Sequence, residues 1–392
     1  MSRVVSHLDP FSPEFRADPY PHYEEMRALG PVIWLERYGI WAVSQYAAVK
    51  AALSDHQTFS NAGGGGLANY FVDPPWRRPS IILEVDPPEH DRTRNVLLRV
   101  FSRASLQPLR PAFERQAERL VDQALAAGRL DAISDLVQPF PLTVFGDAVG
   151  LAPDDRHVLL QYGSMVFGAF GPPTDWYKTL MADAEAVSDW IWARCGRDML
   201  APQGFGADIY ARADAGDITE EEARLLVRSL LSAGVDTTID SIGLALRCLM
   251  DRPDQWALLR QDPGLARGAF EEATRYDSSS QSLIRTTLRP VEFFGAQMGR
   301  HDKVMVFLGS AGRDPEFWDA PEVFDVRRQL AGQMGYGFGI HGCVAQMIAR
   351  LEGQIFFEVL ARKAQTLESV GPAELRLNPG LRGLASLPLA IR

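Results

Sequence analysis

The chain has 392 residues, 46% of them hydrophobic and 23% charged, with a formal net charge of -10. That balance belongs to a globular protein with ample material for a core, and its acidity argues against a general nucleic-acid binder, which would be basic. Three widely spaced cysteines, Cys195, Cys248 and Cys343, form neither a disulfide framework nor a zinc pattern, and a reducing compartment suits them. Met1 to Pro10 carries no apolar leader segment, and no run of about 18 apolar residues exists to cross a bilayer, so the expected location is the cytoplasm.

In chain order, Asp18-Pro19-Tyr20-Pro21 opens a short amphipathic helix that ends at Gly30-Pro31. Val32 to Leu35 and Ile40 to Val43, separated by Glu36-Arg37-Tyr38-Gly39, read as a β-hairpin. Gly63 to Gly66 lacks the Gly-Lys-Ser/Thr of a phosphate loop. The run predicts a flexible surface loop or, alternatively, a mobile lid over a pocket. Helical apolar spacing predicts helices around 91–101, 109–127, 154–170, 176–195, 219–251, 264–277 and 344–363. Short strands are expected within 283–308, at Val291 to Phe294 and Val304 to Phe307. With no repeat and no low-complexity linker, residues 1–392 read as one domain, mainly α with a small β subdomain.

The central helix is the longest. Thr219 and Glu222 fit a capping box, and the pattern runs to Asp251 before Pro253, roughly 48 Å at the helical rise. Its middle, Ala233-Gly234-Val235-Asp236-Thr237-Thr238, places a glycine where Ala would be better by about 1 kcal/mol. A local rule broken inside a long helix points either to function or to a kink at a packing contact. Further on, Glu272 and Arg275 are an i,i+3 pair, ordinarily a weak surface contact.

Tyr336-Gly337-Phe338-Gly339-Ile340-His341-Gly342-Cys343 is a glycine-rich loop that leads into an apolar helix. Glycines let such a loop approach a flat, bulky ligand and take positive φ. Cys343 then sits at a helix N-terminus, where the dipole and free N–H groups favour a thiolate able to bind metal or attack an electrophile. A nucleophile with His341 as its base is the rival reading, but no orienting residue or oxyanion site accompanies it.

The cysteine loop, with an aromatic seven residues before Cys343, Gly339 four before and His341 two before, resembles the haem-binding signature of the cytochrome P-450 superfamily. The family usually has Phe where Tyr336 stands and Gly where Ala345 stands. Ala233-Gly234-Val235-Asp236-Thr237-Thr238 resembles its oxygen-activation motif, and Glu272 with Arg275 its Glu-x-x-Arg, with Arg328 as third member of that scaffold. The resemblance runs over essentially the whole chain and implies a triangular, mostly helical prism. Haem b would lie between the central helix and the cysteine-bearing helix, with Cys343 as axial iron ligand.

On that resemblance Ala233, Gly234, Gly337 and Ala345 border the haem, and His90, Arg94, Arg285 and His341 hold its propionates. Gly234 would open the helix for dioxygen, Thr237 would hydrogen-bond it, and Asp236 would relay protons from solvent. Electrons would come from a separate iron–sulfur ferredoxin and a flavin-dependent NAD(P)H reductase, with Arg92, Arg99, Arg103 and Arg350 as a docking face. The segments 77–84, 166–173 and 228–234 resemble the bacterial subgroup that oxidises para-substituted benzoates. There Ser80 and Ser229 would bind the carboxylate with Arg77 and Arg228, and Phe167, Phe170, Leu83 and Leu283 would pack the ring. Leu283 stands where an aromatic is expected and Ser188 where a longer amide is expected. Other readings are a different small hydrophobic substrate, a peroxide-driven haem-thiolate peroxygenase, and a haem sensor or carrier without turnover.

Overall fold

The computed structural model describes residues 3–376 and 378–392. The N-terminal hairpin forms as the sequence predicts, with Val32 opposite Val43 and Leu35 opposite Ile40, turning through Gly39 at φ 60°. Its inner strand, Ile40–Val43, pairs in parallel with Lys303–Val306, which pairs antiparallel with Leu283–Thr287. Val5–Ser6 and Phe59–Ser60 close the two edges of this six-stranded sheet. Because side chains alternate along a strand, Leu283, Arg285 and Thr287 share one face of Leu283–Thr287. That alternation carries Arg285 into the interior, where it is 4% exposed.

Five helices form close to their predicted limits: Glu89–Val100, Arg110–Ala127, Val158–Gly168, Ala266–Tyr276 and Gln346–Lys363. Residues 176–195 instead form two, Asp175–Leu180 and Ala184–Arg194, joined by a tight turn. The central element also differs from the single long helix expected. Its capping box forms at Thr219 and Glu222, but the helix stops at Ala233 and resumes at Asp236. The cause is packing. A Cβ on Gly234 would lie 2.2 Å from the Phe145 ring, so the helix is broken where Phe145 presses on its backbone.

Phe145 belongs to Pro139–Val149, a helix the sequence pattern does not mark. Its residues are buried on nearly all sides, so no polar face alternates with an apolar one. Nor is Gly63–Gly66 a flexible surface loop. All four glycines are buried, and the Lys303 ammonium donates to the carbonyls of Gly63 at 2.7 Å and Gly64 at 3.2 Å. A Cβ on Gly66 would fall 2.6 Å from the Phe170 backbone and one on Gly63 2.3 Å from the Thr286 hydroxyl, so these positions are glycine because neighbours lie directly on the backbone. Among the described residues no helix is long and apolar enough to cross a membrane.

The Glu272 and Arg275 pair is not a surface contact. Both side chains are 0% exposed and meet through two bonds of 2.7 Å. Arg275 also donates to the carbonyls of Gly312, Pro321 and Val323, and Arg328 reaches Glu272 at 3.1 Å. One carboxylate thus ties the helix Ala266–Tyr276 to the loop that leads to the Cys343 turn. Removing one partner of such a pair leaves a buried charge uncompensated. Glu272→Ala is expected to lose about 3–5 kcal/mol in denaturant unfolding; a midpoint close to wild type would show that the pair carries no weight.

Candidate active site

Cys343 is set by the turn that precedes it. Gly337 and Gly339 take φ of 74° and 71°, and a Cβ on Gly339 would strike the Leu53 carbonyl at 2.2 Å. The Cys343 N–H then donates to the Tyr336 carbonyl at 2.8 Å, and the Gln346 side chain to the Cys343 carbonyl at 3.0 Å. Helix Gln346–Lys363 starts beyond the cysteine, with Ala345 as its cap, and the Ala345 N–H donates to the sulfur. The helix end alone does not make a thiolate here. Burial pushes the Cys343 thiol up, outweighing the Ala345 N–H and the charges of Arg94 and Arg350. Tyr336 puts its ring 4.3 Å from the Arg350 guanidinium, and its buried hydroxyl has no partner among the described residues.

Across from Cys343 a cavity of about 180 Å³ opens beneath the helix break, touching Ala233, Gly234 and Ala345. Its far end is polar. The hydroxyls of Ser80 and Ser229 are 3.1 Å apart, and Ser80 also accepts from the Leu83 N–H at 3.2 Å. Arg77 lies there too, bonded to Glu84 at 3.1 Å, while its buried Nε has no partner among the described residues. Most of the remaining wall is apolar, with Leu83, Phe145, Val166 and an edge-to-face pair, Phe167 and Phe170, whose ring centroids are 5.5 Å apart; Arg94 and His341 line it as well.

Three residues expected in this cavity do not line it. Arg228 points to the Pro79 carbonyl at 3.1 Å, so it braces the turn that carries Arg77 and Ser80. Leu283 packs into the sheet core opposite Val306, and Ser188 lies on Ala184–Arg194 away from the cavity. Ser232 and Phe145 line it without having been marked; Ser232 lies one turn along from Ser229, which the sequence could have shown, whereas Phe145 arrives from the unmarked helix.

Beside Cys343, four donors converge. The rings of His90 and His341 are 4.4 Å apart, and Arg94 donates to the Gly342 carbonyl at 2.7 Å. Arg285 donates to the Ile284 carbonyl at 3.0 Å, and burial lowers its pKa to about 10. His90 Nε2 and both ring nitrogens of His341 are buried without a hydrogen bond among the described residues; Asp86 stands off from His341 at 3.8 Å. Burial, with Arg285 and His90 nearby, holds His341 below its ordinary pKa.

Thr237 and Asp236 lie outside the cavity wall. Thr237 Oγ1 donates to the Ala233 carbonyl at 2.8 Å, bridging the helix break. Asp236 is not open to solvent: its side chain is 1% exposed and bound by Arg376 at 2.7 Å. The same guanidinium holds Asp240 at 2.5 Å. Asp240 is visible in the sequence one turn beyond Asp236, but Arg376 lies in the C-terminal segment, where nothing marks it.

The cytochrome P-450 family profile matches residues 206–363. Over 390 residues the chain is 48% identical to cytochrome p450 CYP199A2 of Rhodopseudomonas palustris, covering 99% of this chain and 95% of that protein. The chain belongs to the cytochrome P-450 family. It is also 34% identical to cytochrome P-450 monooxygenase PikC of Streptomyces venezuelae, over 100% of this chain and 95% of that one. Among solved structures it matches CalO2, with 29% identity, 98% coverage of both chains and a TM-score of 0.86. Cytochrome P-450 CREJ, solved with (4-ethylphenyl) dihydrogen phosphate, gives 26% identity, coverage of 99% and 100%, and a TM-score of 0.87.

The protein is therefore a haem monooxygenase with the cytochrome P-450 fold. The residues present fit the cofactor. The unpartnered donors of His90 and His341, with Arg94 and Arg285, match the need of two propionates for charged or donor partners. The neutral thiol of Cys343 would become a metal ligand once a cation drew off its proton. Cys343→Ser is expected to abolish the red-shifted Soret band of the reduced carbon monoxide complex. Persistence of that band would remove Cys343 as the ligand.

Proposed function

We propose that this monooxygenase oxidises para-substituted aromatic acids, with 4-methoxybenzoate as the type substrate. The observation that carries the reading is the cluster of Ser80, Ser229 and the free Nε of Arg77 on a wall that is otherwise aromatic and aliphatic apart from Ser232 and from Arg94 and His341, the groups assigned to the propionates. A carboxylate entering an apolar site must be met by charge or several donors, because an unpaired buried anion is very costly. Arg77 and two hydroxyls supply these, and Glu84 holds Arg77 in place on its other side. Phe167, Phe170 and Leu83 then hold the ring so that its para substituent faces away from the serines. The co-crystallised molecule of CREJ is likewise a para-substituted aromatic anion.

Cys343 would ligate haem, which would supply the activation of dioxygen; the overall reaction takes two electrons and two protons, places one oxygen atom in the substrate and releases the other as water. The chain contributes position and protons. His90, Arg94, Arg285 and His341 would hold the propionates, while Ala233, Gly234, Gly337 and Ala345 would border the ring. Thr237 Oγ1 holds a proton at the helix break, and Asp236 resupplies it. Insertion into the methyl C–H of a para methoxy group gives a hemiacetal, which loses formaldehyde and leaves 4-hydroxybenzoate.

A monooxygenase of this family needs a redox partner, and we infer an acidic ferredoxin served by a flavin-dependent NAD(P)H reductase. Of the arginines expected at the docking face, Arg92 is committed to Glu222, Arg99 to Asp217 and Arg350 to Glu271. Arg103 has no acidic partner among the described residues and, with Arg267, lines a groove that Met347 enters from the helix that follows Cys343.

The acid should shift the haem spin state strongly, whereas 4-methoxybenzamide and the meta isomer should not. Ser80→Ala with Ser229→Ala should weaken acid binding by about tenfold or more, the scale of one or two lost hydrogen bonds to a charge. Equal binding of acid and amide, or unaltered affinity in the double variant, would end the carboxylate-anchoring idea and leave the monooxygenase assignment standing.

A further inference from the structure

Each turnover consumes two protons, and the acid beside Thr237 in the chain is buried. Asp236 is the nearest acid to Thr237 in the chain, yet both its oxygens are enclosed. Oδ1 accepts from Arg376 at 2.7 Å, and Oδ2 lies so close over Gly163 that a Cβ there would be 1.7 Å away. Any proton that leaves Asp236 must therefore be replaced from the Arg376 side.

On that side stands a second buried carboxylate. Asp240 follows Asp236 by one helical turn and accepts from the other terminal nitrogen of Arg376. It is 2% exposed and lies against the Gly383 backbone, where a Cβ would be 1.9 Å from Oδ1. Two buried carboxylates share one cation, so the trio balances its charge by retaining one proton. In keeping with this, burial and the neighbouring Asp236 push Asp240 up to about 7 against the pull of Arg376.

Beyond Arg376 is a separate cavity of about 110 Å³, lined by polar groups of Gln281, Ser282, Asn378 and Arg382 as well as by Arg376 itself. A water needs roughly 10–15 Å³ of such space, so several fit. The buried Nε of Arg376 has no hydrogen-bond partner among the described residues. The outer wall is the N-terminal segment between Pro10 and Pro19, and Arg16 pins the Arg376 loop by donating to the carbonyls of Arg376 and Asn378 at 3.0 and 2.9 Å.

The geometry points to Asp240 and Arg376 as a proton gate, in which Arg376 separates the two carboxylates from water in this cavity and Asp240 passes protons to Asp236. A proton leaving Asp236 is replaced from Asp240, and Asp240 is recharged by cavity water that exchanges with bulk. No electron travels this way; the redox partner supplies both. Arg376 is a positioning residue, releasing one carboxylate when its guanidinium swings toward the cavity. The inference rests on the role of Asp236 proposed above and is independent of the substrate.

The test compares Asp240→Asn, Ser282→Leu, which fills the cavity without touching the ion pairs, and Asp236→Asn. Product per NADH is measured with added ferredoxin and reductase, in light and heavy water. Asp240→Asn should lower product per NADH several-fold and raise the solvent isotope effect, with Ser282→Leu changing both less. Spin shift by substrate and product formation driven by hydrogen peroxide, which carries its own protons, should stay at wild-type levels. In the infrared spectrum of the resting holoenzyme, a protonated-carboxyl band should vanish in Asp240→Asn. Wild-type coupling and isotope effect in both Asp240→Asn and Ser282→Leu overturn the gate. So does loss of peroxide-driven product in Asp240→Asn, which would mean damage to the haem site. If Asp236→Asn impairs coupling and Asp240→Asn does not, only the gate falls; if Asp236→Asn is itself silent, the role of Asp236 falls with it.

Discussion

The Cys343 sulfur is fixed from the backbone side, by the Cys343 N–H on the Tyr336 carbonyl and the Ala345 N–H on the sulfur itself, while burial keeps the thiol protonated. A buried thiol whose desolvation outweighs a backbone donor and two nearby guanidinium charges is poised rather than ionised. The same incompleteness recurs a few ångströms away, where His90 and His341 hold buried ring nitrogens without hydrogen bonds among the described residues. One side of the site asks for a cation and the other for anions. In the proposed assignment haem would bring both on a single rigid frame, which requires the glycine turn, the sheet that delivers Arg285 and the helix that delivers His90 to be held in register.

That register comes from a second buried charge system. Glu272 sits among Arg275, Arg328 and the Asp325 N–H, with no exposure of its side chain. Arg275 in turn binds the carbonyls of a loop far along the chain, just ahead of the cysteine turn. Ion pairs of this kind add little net stability against an apolar alternative, but they are strict about geometry. Here the geometry they enforce is the distance between the helix Ala266–Tyr276 and the loop carrying Cys343. The helix break works in the same way through packing: Phe145 forces an interruption at Gly234, and the interruption leaves Thr237 bonded to the Ala233 carbonyl rather than buried in a regular turn.

Much of this was legible in the sequence because the relevant signals are local. The capping box at Thr219, the hairpin around Gly39, and the glycines before Cys343 all state their geometry within a few residues. What escaped depends on contacts between distant segments. Gly63 to Gly66 reads as a loose loop until Phe170 and Lys303 are placed against it, and the central helix reads as continuous until Phe145 arrives from a helix without an amphipathic stripe. Arg228 carries a charge on the helix face that a carboxylate site would want, but its guanidinium is used on the Pro79 carbonyl. Arg376 is the extreme case: it closes on Asp236 from 140 residues away, in a segment with no motif.

The division of the cavity into a polar end and an aromatic body is the feature on which the substrate reading stands, and it is open to direct observation. A crystal structure of the haem-loaded protein with 4-methoxybenzoate should place the carboxylate within hydrogen-bonding distance of Ser80, Ser229 and Arg77 Nε, with the ring between Phe167 and Phe170 and the methoxy group toward Cys343. A carboxylate found elsewhere, against Arg94 or turned toward the iron, would contradict it.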